Sequence, residues 1–131
     1  MLDASAAVDL LLERGEQGLW VEDRVVGHEL VAAPHVIDLE VAAALRRLAR
    51  LSEIGSERGR VTLLELVEMP LQRYPVSALL GRIWGLREQL TTYDAAYVAL
   101  AEALEVPLVT TDARLGRSTG HTATIEAYPG R

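Results

Sequence analysis

The stretch LTTYDAAYVALAEALEVPLVTTDARL, residues 90–115, decides the fold class. Apolar residues recur at helical spacing after Thr92, and this pattern predicts a helix over residues 93–104 with Thr92 as its cap. Five residues that suit a buried strand, PLVTT at 107–111, then run directly into Asp112, where the chain turns helical. Because an isolated carboxylate at the end of an apolar strand is costly to desolvate, we expect Asp112 to meet a partner that offsets this cost.

The same alternation of short apolar runs and helical periodicity extends along the chain. It predicts a layered α/β domain with a parallel sheet, and a length of 131 residues suits one domain, residues 1–131. Strands are predicted at Met1 and Leu2 and over 29–33, 71–76, 107–111 and 122–128, the last at a sheet edge. Helices are predicted over 4–14, 17–26, 34–51, 56–68, 77–89 and 93–104, with Pro34 in a first turn and Ser56 and Ser77 as caps.

Composition excludes several classes of protein. The chain has no Cys, so thiolate zinc sites, thiol nucleophiles and disulfide scaffolds are ruled out. All 13 basic residues are Arg, which excludes Schiff-base chemistry and a phosphate-loop lysine. No apolar run approaches the roughly 20 residues of a membrane span, and no leader pattern is visible, so a soluble cytoplasmic protein is expected. The net charge of -6 argues against loose, nonspecific binding of nucleic acid.

Two carboxylates stand at the ends of predicted strands. Asp3 and Asp112 each end a strand and open a helix, and ligands of open α/β sheets bind at the carboxyl ends of parallel strands. If these two strands are neighbours in the sheet, the two acids are neighbours as well.

Two further acids lie on predicted helices. Asp94 is in the first turn of its helix and projects from the apolar stripe of Tyr97, Val98 and Ala101, whereas Glu102 and Glu105 form the solvated face. The face of Glu40 continues through Ala43, Ala44 and Arg47, which predicts a shallow trench with a carboxylate at one end and a guanidinium two turns away. The alternatives are that Asp94 interacts with the helix dipole and that Glu40 and the arginines of its helix are ordinary surface residues.

Gathering four carboxylates is unfavourable unless a cation is present. Each like-charge pair at about 4 Å costs about 4 kcal/mol at an effective dielectric of 20. Oxygen-only ligands select Mg²⁺, Mn²⁺ or Ca²⁺, and two such ions would offset much of the net charge of -6. Without a metal, we expect the crowded acids to bind protons more tightly than isolated ones.

The motifs LDASA at 2–6, LEVAAALRRL at 39–48 and residues 90–115 resemble the PIN-domain ribonucleases, in particular the VapC toxins of bacterial toxin–antitoxin modules. The resemblance spans nearly the whole chain. It implies an α/β fold with three α/β/α layers, in which helices flank a central, mainly parallel sheet of 4-5 short strands. It departs from the family in one place, since only Met1 and Leu2 precede Asp3 where members generally have several apolar residues.

The resemblance also implies an activity and a site. It implies an endoribonuclease that depends on Mg²⁺, with Mn²⁺ as an alternative and one or two ions per site. The acidic site would consist of Asp3, Glu40, Asp94 and Asp112, and Ser5 and Thr111 would orient it unless their hydroxyls are helix caps. The implied partners are RNA, a VapB-type antitoxin whose tail brings an Arg into the acidic pocket, and a second copy of the chain in a homodimer.

Phosphodiester hydrolysis by metal-activated water is the reaction that this set of acids predicts. Asp3, Asp94 and Asp112 would hold the metal, and Glu40 would orient the water. Candidate contacts to the RNA backbone are Arg47, Arg114 and Arg117, although a solvated Arg is the default.

Other classes fit the sequence less well. A phosphoacceptor signalling domain needs a strand-terminal Lys, which is absent, whereas a catalytically silent PIN-like module that binds RNA or a partner stays open. The histidines, His28, His35 and His121, show no metal-ligand spacing. Leu63, Leu64, Leu66 and Val67 on the helix 56–68, together with Trp84, supply either core packing or a contact surface for a second copy or the antitoxin.

Overall fold

The structure is a computed structural model and describes residues 1–130. Its helices and strands follow the alternation predicted from the sequence. In chain order they are α1 Ala4–Leu11, α2 Gly15–Val25, β1 Val31–Pro34, α3 Val36–Arg50, α4 Ser56–Glu68, β2 Leu71–Tyr74, a 3₁₀ turn Ser77–Leu79 that leads into α5 Leu80–Gly85, α6 Thr92–Leu104, β3 Leu108–Thr110, α7 Ala113–Gly116 and β4 Ile125–Ala127.

The sheet is parallel, and the N-terminal residues hold its two halves together. Strand β1 pairs in parallel with β2, and β3 pairs in parallel with β4. Between the two pairs, Leu2 forms a parallel bridge with Val109, and its N–H donates to the Ala32 carbonyl over 3.2 Å. This confirms the predicted fold class, and it also confirms that the first strand is very short.

Helix α6 forms the centre of the core. Its residues from Ala95 to Ala101 are all buried, and Tyr97 is among the largest side chains that are fully buried. Helix α6 packs on both β1 and β3, whereas α1 and α2 pack on β3. A helix buried over two turns fixes the orientation of its first turn, where Asp94 lies.

Several predicted boundaries were wrong, for local reasons. Pro34 is the last residue of β1, opposite Tyr74, because a strand end needs no N–H from it, and the helix begins at Val36. The cap of α6 is Thr91, whose hydroxyl accepts from the Asp94 N–H over 3.2 Å. Helix α4 has no side-chain cap, since its N-cap is Gly55 and not Ser56. The helix predicted to reach residue 89 ends at Gly85, and Ser77 does not cap it.

The first predicted helix is also shorter than expected. Helix α1 ends at Leu11, and a tight turn with positive φ at Glu13 and Gly15 leads directly into α2. Gly18 in α2 is buried against the end of α1, where an added Cβ would stand 2.7 Å from the Asp9 carbonyl oxygen. This close approach lets α2 pack tightly against the end of α1.

Part of the apolar surface predicted on α4 lies in the core and part does not. Leu66 is buried, but Leu64 and Val67 are 52% and 72% exposed, and Trp84 on α5 is 68% exposed with Arg87 over its ring. Core packing therefore accounts for only some of these residues. Within residues 1–130, no helix has the length and apolar character to cross a membrane.

Candidate active site

Asp3 lies at the buried carboxyl end of the N-terminal strand and is the N-cap of α1. Its Oδ1 accepts from the Ala6 N–H over 2.9 Å and from the Ser5 hydroxyl over 2.7 Å, and its Oδ2 accepts from the Thr110 hydroxyl. Burial raises the pKa of Asp3 to about 6, although these hydrogen bonds oppose the shift. The Ala6 N–H and the hydroxyls of Ser5 and Thr110 thus hold this buried carboxylate in a single orientation.

Thr110 is the hydroxyl that joins Asp3 to Asp112. In addition to its bond to Asp3, its Oγ1 accepts from the Asp112 N–H over 3.0 Å. The predicted Thr111 points elsewhere, because successive strand residues face opposite sides, and its hydroxyl donates to Asp9 Oδ2 over 2.6 Å. Thr111 reaches the site only through its N–H, which donates to the Ser5 hydroxyl over 3.2 Å. Ser5 therefore has the predicted contacts, whereas the orienting threonine side chain is Thr110.

Asp112 and Asp94 share one guanidinium. Asp112 is the N-cap of α7, and its Oδ2 lies 3.1 Å from Arg114 Nη2, which is also 3.3 Å from Asp94 Oδ2. Arg114 is 65% exposed, so these ion pairs contribute little to stability. In this structure, the Asp112 carboxylate at the end of β3 meets the Arg114 guanidinium and the Arg114 backbone N–H.

Glu40 has the least satisfied carboxylate of the four. It projects from α3, and its buried Oε1 has no hydrogen-bond partner among residues 1–130. The buried Tyr97 hydroxyl likewise makes no bond of acceptable geometry, although it lies close enough to Glu40 for each group to affect the pKa of the other. Burial raises the pKa of Glu40, and the Asp94 charge raises it further. A buried acceptor without a donor indicates a site that is completed by something else.

The four predicted acids lie within range of one another's charges. Asp112 raises the pKa of Asp3, Asp94 raises that of Glu40, and Asp3, Glu40 and Asp94 all raise that of the Tyr97 hydroxyl, on which burial is the main influence. The expectation that the acids bind protons more tightly is met for Asp3 and Glu40. Its cause differs from the expected one, since burial contributes more than the neighbouring charges.

The residues fit a hard divalent cation in their chemistry. All four donors are carboxylates, two of them are raised in pKa, and one has an unpaired oxygen that a cation would satisfy. As the side chains stand, no group of three or more carboxylate or imidazole residues within 1–130 is close enough to hold one ion together. Binding an ion would therefore require these side chains to move closer together, and Arg114 would compete with the ion for oxygens of Asp94 and Asp112.

The trench predicted beside Glu40 is present in the structure. A groove of about 590 Å³ runs from Glu40 and Ser5 past Ala43 and Ala44 to Arg47. Helical periodicity was enough to predict the groove residues that α3 supplies, because they all lie on one face of that helix, whereas Ser5 comes from α1. Arg117 is exposed beyond α7, and its side chain makes no hydrogen bond or ion pair among residues 1–130.

Sequence reasoning missed three residues at this site. Thr110 has a buried hydroxyl in an apolar strand, a signal that a partner must be present. Tyr97 was assigned only to the apolar stripe of its helix. Arg14, in the turn between α1 and α2, lines the groove and lies 3.9 Å from Asp9. No local pattern marks this arginine, because only the fold of the α1–α2 turn brings it to the groove.

Comparison with known proteins identifies the class. The profile of the family described as PIN domain matches residues 1–119, so this chain belongs to the PIN-domain family. Its relatives include the VapC ribonuclease Mb0985 of Mycobacterium bovis, which is 44% identical over 88% of this chain and 87% of that protein. Ribonuclease VapC12 of Mycobacterium tuberculosis is 43% identical over 96% of each chain. Within the family, the chain thus groups with the VapC proteins.

Solved structures support the same fold. The crystal structure of PAE2754 from Pyrobaculum aerophilum superimposes with a TM-score of 0.70 at 26% identity, covering 95% of this chain and 81% of that one. VapBC2 from Rickettsia felis, bound to a DNA fragment from its promoter, gives a TM-score of 0.68 at 14% identity, covering 98% of this chain and 97% of that one. The second likeness concerns the fold alone.

Proposed function

We propose that this chain is a metal-dependent endoribonuclease toxin of the VapC type. The relatives named VapC ribonucleases, with 41–44% identity over most of the chain, support the activity on RNA. The observation that carries the proposal is the acid cluster, in which Asp3 is buried with a pKa of about 6 and Glu40 has an unpaired buried oxygen. A buried carboxylate with a raised pKa and a second one with an unpaired oxygen are typical of functional sites, and this supports a chemical use of the cluster.

Each side chain has a defined part in the proposed hydrolysis. Asp3, Asp94 and Asp112 would hold one or two Mg²⁺ or Mn²⁺ ions, and Thr110 and Ser5 keep the Asp3 carboxylate oriented. When bound, the ion supplies a lowered pKa for the attacking water and a counter-charge for the phosphate.

Glu40 is the group placed to take a proton in this reaction. It would accept one proton from the attacking water as a P–O bond to that water forms. The P–O bond to the ribose oxygen breaks, and the leaving oxygen would take a proton from solvent. Its raised pKa suits this role, because a base whose pKa lies nearer to neutrality accepts a proton more readily.

Cleavage of a mixed RNA pool tests this function. Wild type and Asp94→Asn are compared with Mg²⁺ and with chelator, after circular dichroism has established that both are folded. Asp23→Asn is the matched control, since Asp23 on α2 is 82% exposed and lies outside the acid cluster. We expect cleavage by wild type and by Asp23→Asn in Mg²⁺, and none by Asp94→Asn or in chelator. Equal cleavage by all three proteins would remove the proposed site.

The alternative function is a catalytically silent PIN-like module that binds RNA or a protein. The ion pairs of Arg114 favour it, because they satisfy Asp94 and Asp112 without a metal. RNA binding without cleavage under every metal condition would establish this alternative.

Two protein partners belong to the proposal. A cognate VapB-type antitoxin would silence the site with an arginine, and the contact of Arg114 with Asp94 and Asp112 supports a pocket that accepts a guanidinium. A homodimer would cover the exposed apolar side chains of Leu64, Val67 and Trp84. Light scattering after size-exclusion chromatography tests the dimer, and a monomeric mass at micromolar concentration would contradict it.

A further inference from the structure

A groove leads from the acid site across the surface between the α1–α2 turn and helix α3. It has a volume of about 590 Å³, and Glu40 and Ser5 line its inner end. The small side chains of Ala43 and Ala44 lie along the α3 side, so the groove offers an apolar floor as well as a polar end. The groove therefore reaches the acid site at Glu40, and it extends well beyond the volume that a metal ion needs.

Two arginines from separate elements stand along this groove. Arg47 comes from α3 and Arg14 from the α1–α2 turn, and both are exposed. Arg47 makes no side-chain hydrogen bond or ion pair among residues 1–130, and Arg14 has only a long contact of 3.9 Å to Asp9. Both guanidiniums are therefore available to a ligand, and a guanidinium is the side chain best suited to a phosphate.

The acids that also border the groove do not cancel this preference. Asp9 is buried, and its Oδ2 accepts the Thr111 hydroxyl. Glu40 belongs to the reacting end of the groove. Seven residues separate Glu40 from Arg47, which is about 10 Å along a helix, so a phosphate at Arg47 is a different one from the phosphate at the acids.

We propose that this groove binds the single-stranded RNA segment next to the cleaved bond, with Arg14 and Arg47 contacting its phosphates and the alanine floor leaving room for a ribose or base. The inference rests on the proposed ribonuclease function and adds the path of the substrate. Charge complementarity favours RNA as the occupant of the groove, because its phosphates would pair with both guanidiniums. An occupant with a neutral or basic backbone would leave both unpaired.

Helix α3 supplies matched controls for the test. Arg46 and Arg50 are exposed on the same helix but do not line the groove. Arg50 shares the last turn of α3 with Arg47, so any effect through the helix dipole is common to the two residues. Ala43→Leu fills the floor without changing the charge. The two properties of the groove, its charge and its shape, can thus be tested separately.

The experiment measures fluorescence anisotropy of a short labelled single-stranded RNA in chelator, over a series of salt concentrations. Arg14→Gln and Arg47→Gln should each raise Kd about threefold and lower the slope of log Kd against log salt by about 0.7, the value for one phosphate contact on a single strand. Ala43→Leu should raise Kd with the slope unchanged, and Arg46→Gln and Arg50→Gln should match wild type. Thermal melts establish that each variant is folded.

Three results would overturn the proposal. Equal weakening by all four Arg→Gln variants would mean that the arginines act only as general surface charge. Unchanged RNA binding together with lost binding of a purified antitoxin would assign the groove to a protein. Unchanged binding by Arg14→Gln and Arg47→Gln while wild type cleaves RNA in Mg²⁺ would remove the groove and leave the ribonuclease intact. RNA binding with the expected salt slopes but without cleavage would support the groove and remove the ribonuclease function.

Discussion

Helix α6 carries a carboxylate near each end, Asp94 and Glu102, and the two stand in opposite electrostatic surroundings. Glu102 accepts from Arg82 Nε and Nη2 over 2.8 and 2.9 Å, and from the Thr122 N–H and hydroxyl over 2.8 and 3.1 Å. These bonds, those of Arg82 first, lower the pKa of Glu102 to about 2. The expectation that Glu102 belongs to a solvated face was therefore wrong.

The Asp94 end shows the contrary arrangement. Its neighbours Asp3 and Glu40 have raised pKa values, and the only cation in contact with Asp94 among residues 1–130 is the exposed Arg114. Helix α6 thus carries Glu102, which stabilises the fold, and Asp94, which belongs to a cluster of acids that does not. The difference indicates that the Glu102 region is structural, and it supports the proposal that the Asp94 region serves the chemistry of the site.

The largest effect on stability is expected at Glu102. Glu102→Gln should lower the free energy of unfolding at pH 7 by about 2 kcal/mol, because the charged acceptor of four hydrogen bonds is lost and Arg82 is partly exposed. Since the folded pKa of about 2 lies below the ordinary value of 4.5, the stabilisation is complete above pH 4.5 and is lost as pH falls toward 2. Urea unfolding at pH 7 and pH 3 measures both effects.

Glu105→Gln is the control for this experiment, because Glu105 is exposed at the end of the same helix. It should change stability by less than about 0.5 kcal/mol. A Glu102→Gln protein as stable as wild type at pH 7 would show that the carboxylate of Glu102 does not stabilise the fold, and the proposed difference between the two ends of α6 would be lost.

At the other end, Thr110→Val should act on the site rather than on the helix. Removing the hydroxyl that joins Asp3 to Asp112 should lower affinity for Mn²⁺ about tenfold, as is usual for residues that orient metal ligands. Thr110→Ser keeps the hydroxyl and should bind nearly as wild type does. Calorimetric titration with Mn²⁺ measures the affinities, and equal binding by all three proteins would contradict this role.

Asp3→Asn should make the fold more stable, which is the opposite of the effect at Glu102. The folded pKa of about 6 lies above the ordinary 3.8, so the wild-type protein loses stability as pH rises from about 4 to 6. A neutral side chain avoids this loss, and a gain of about 1 kcal/mol is expected above pH 6 and none near pH 4. Urea unfolding in chelator at pH 8 and pH 4 tests this prediction, and a loss of stability in Asp3→Asn at pH 8 would refute it.

The smallest effect concerns the two arginines that face these acids. Arg82 is paired with one acid, Glu102, whereas Arg114 occupies oxygens of two acids that would hold the metal. Arg114→Gln should therefore raise Mn²⁺ affinity about threefold, the range of an exposed ion pair. Arg117→Gln, which removes a nearby charge that forms no ion pair among residues 1–130, should change the Mn²⁺ affinity less. Weaker Mn²⁺ binding by Arg114→Gln would mean that Arg114 supports the site.

Sequence reasoning was accurate where one element supplies the whole pattern. The groove from Glu40 to Arg47 follows from the period of a single helix, and the strand that ends near Asp112 follows from one apolar run. It failed where a partner comes from a distant element, and where one must know which residues of a strand face the site. Arg82 and Glu102 lie on different helices, and only the pairing of β3 with Leu2 determines that Thr110 rather than Thr111 faces Asp3.

The hydrogen bond between Asp3 and Thr110 joins residues that are 107 positions apart. During synthesis, the first acid therefore leaves the ribosome long before the hydroxyl that orients it and before Asp112. No nascent chain that stops short of residue 112 can carry all four carboxylates. As a ribonuclease of the proposed kind, the chain could therefore not assemble its acid site until residue 112 had been synthesised and had left the ribosome.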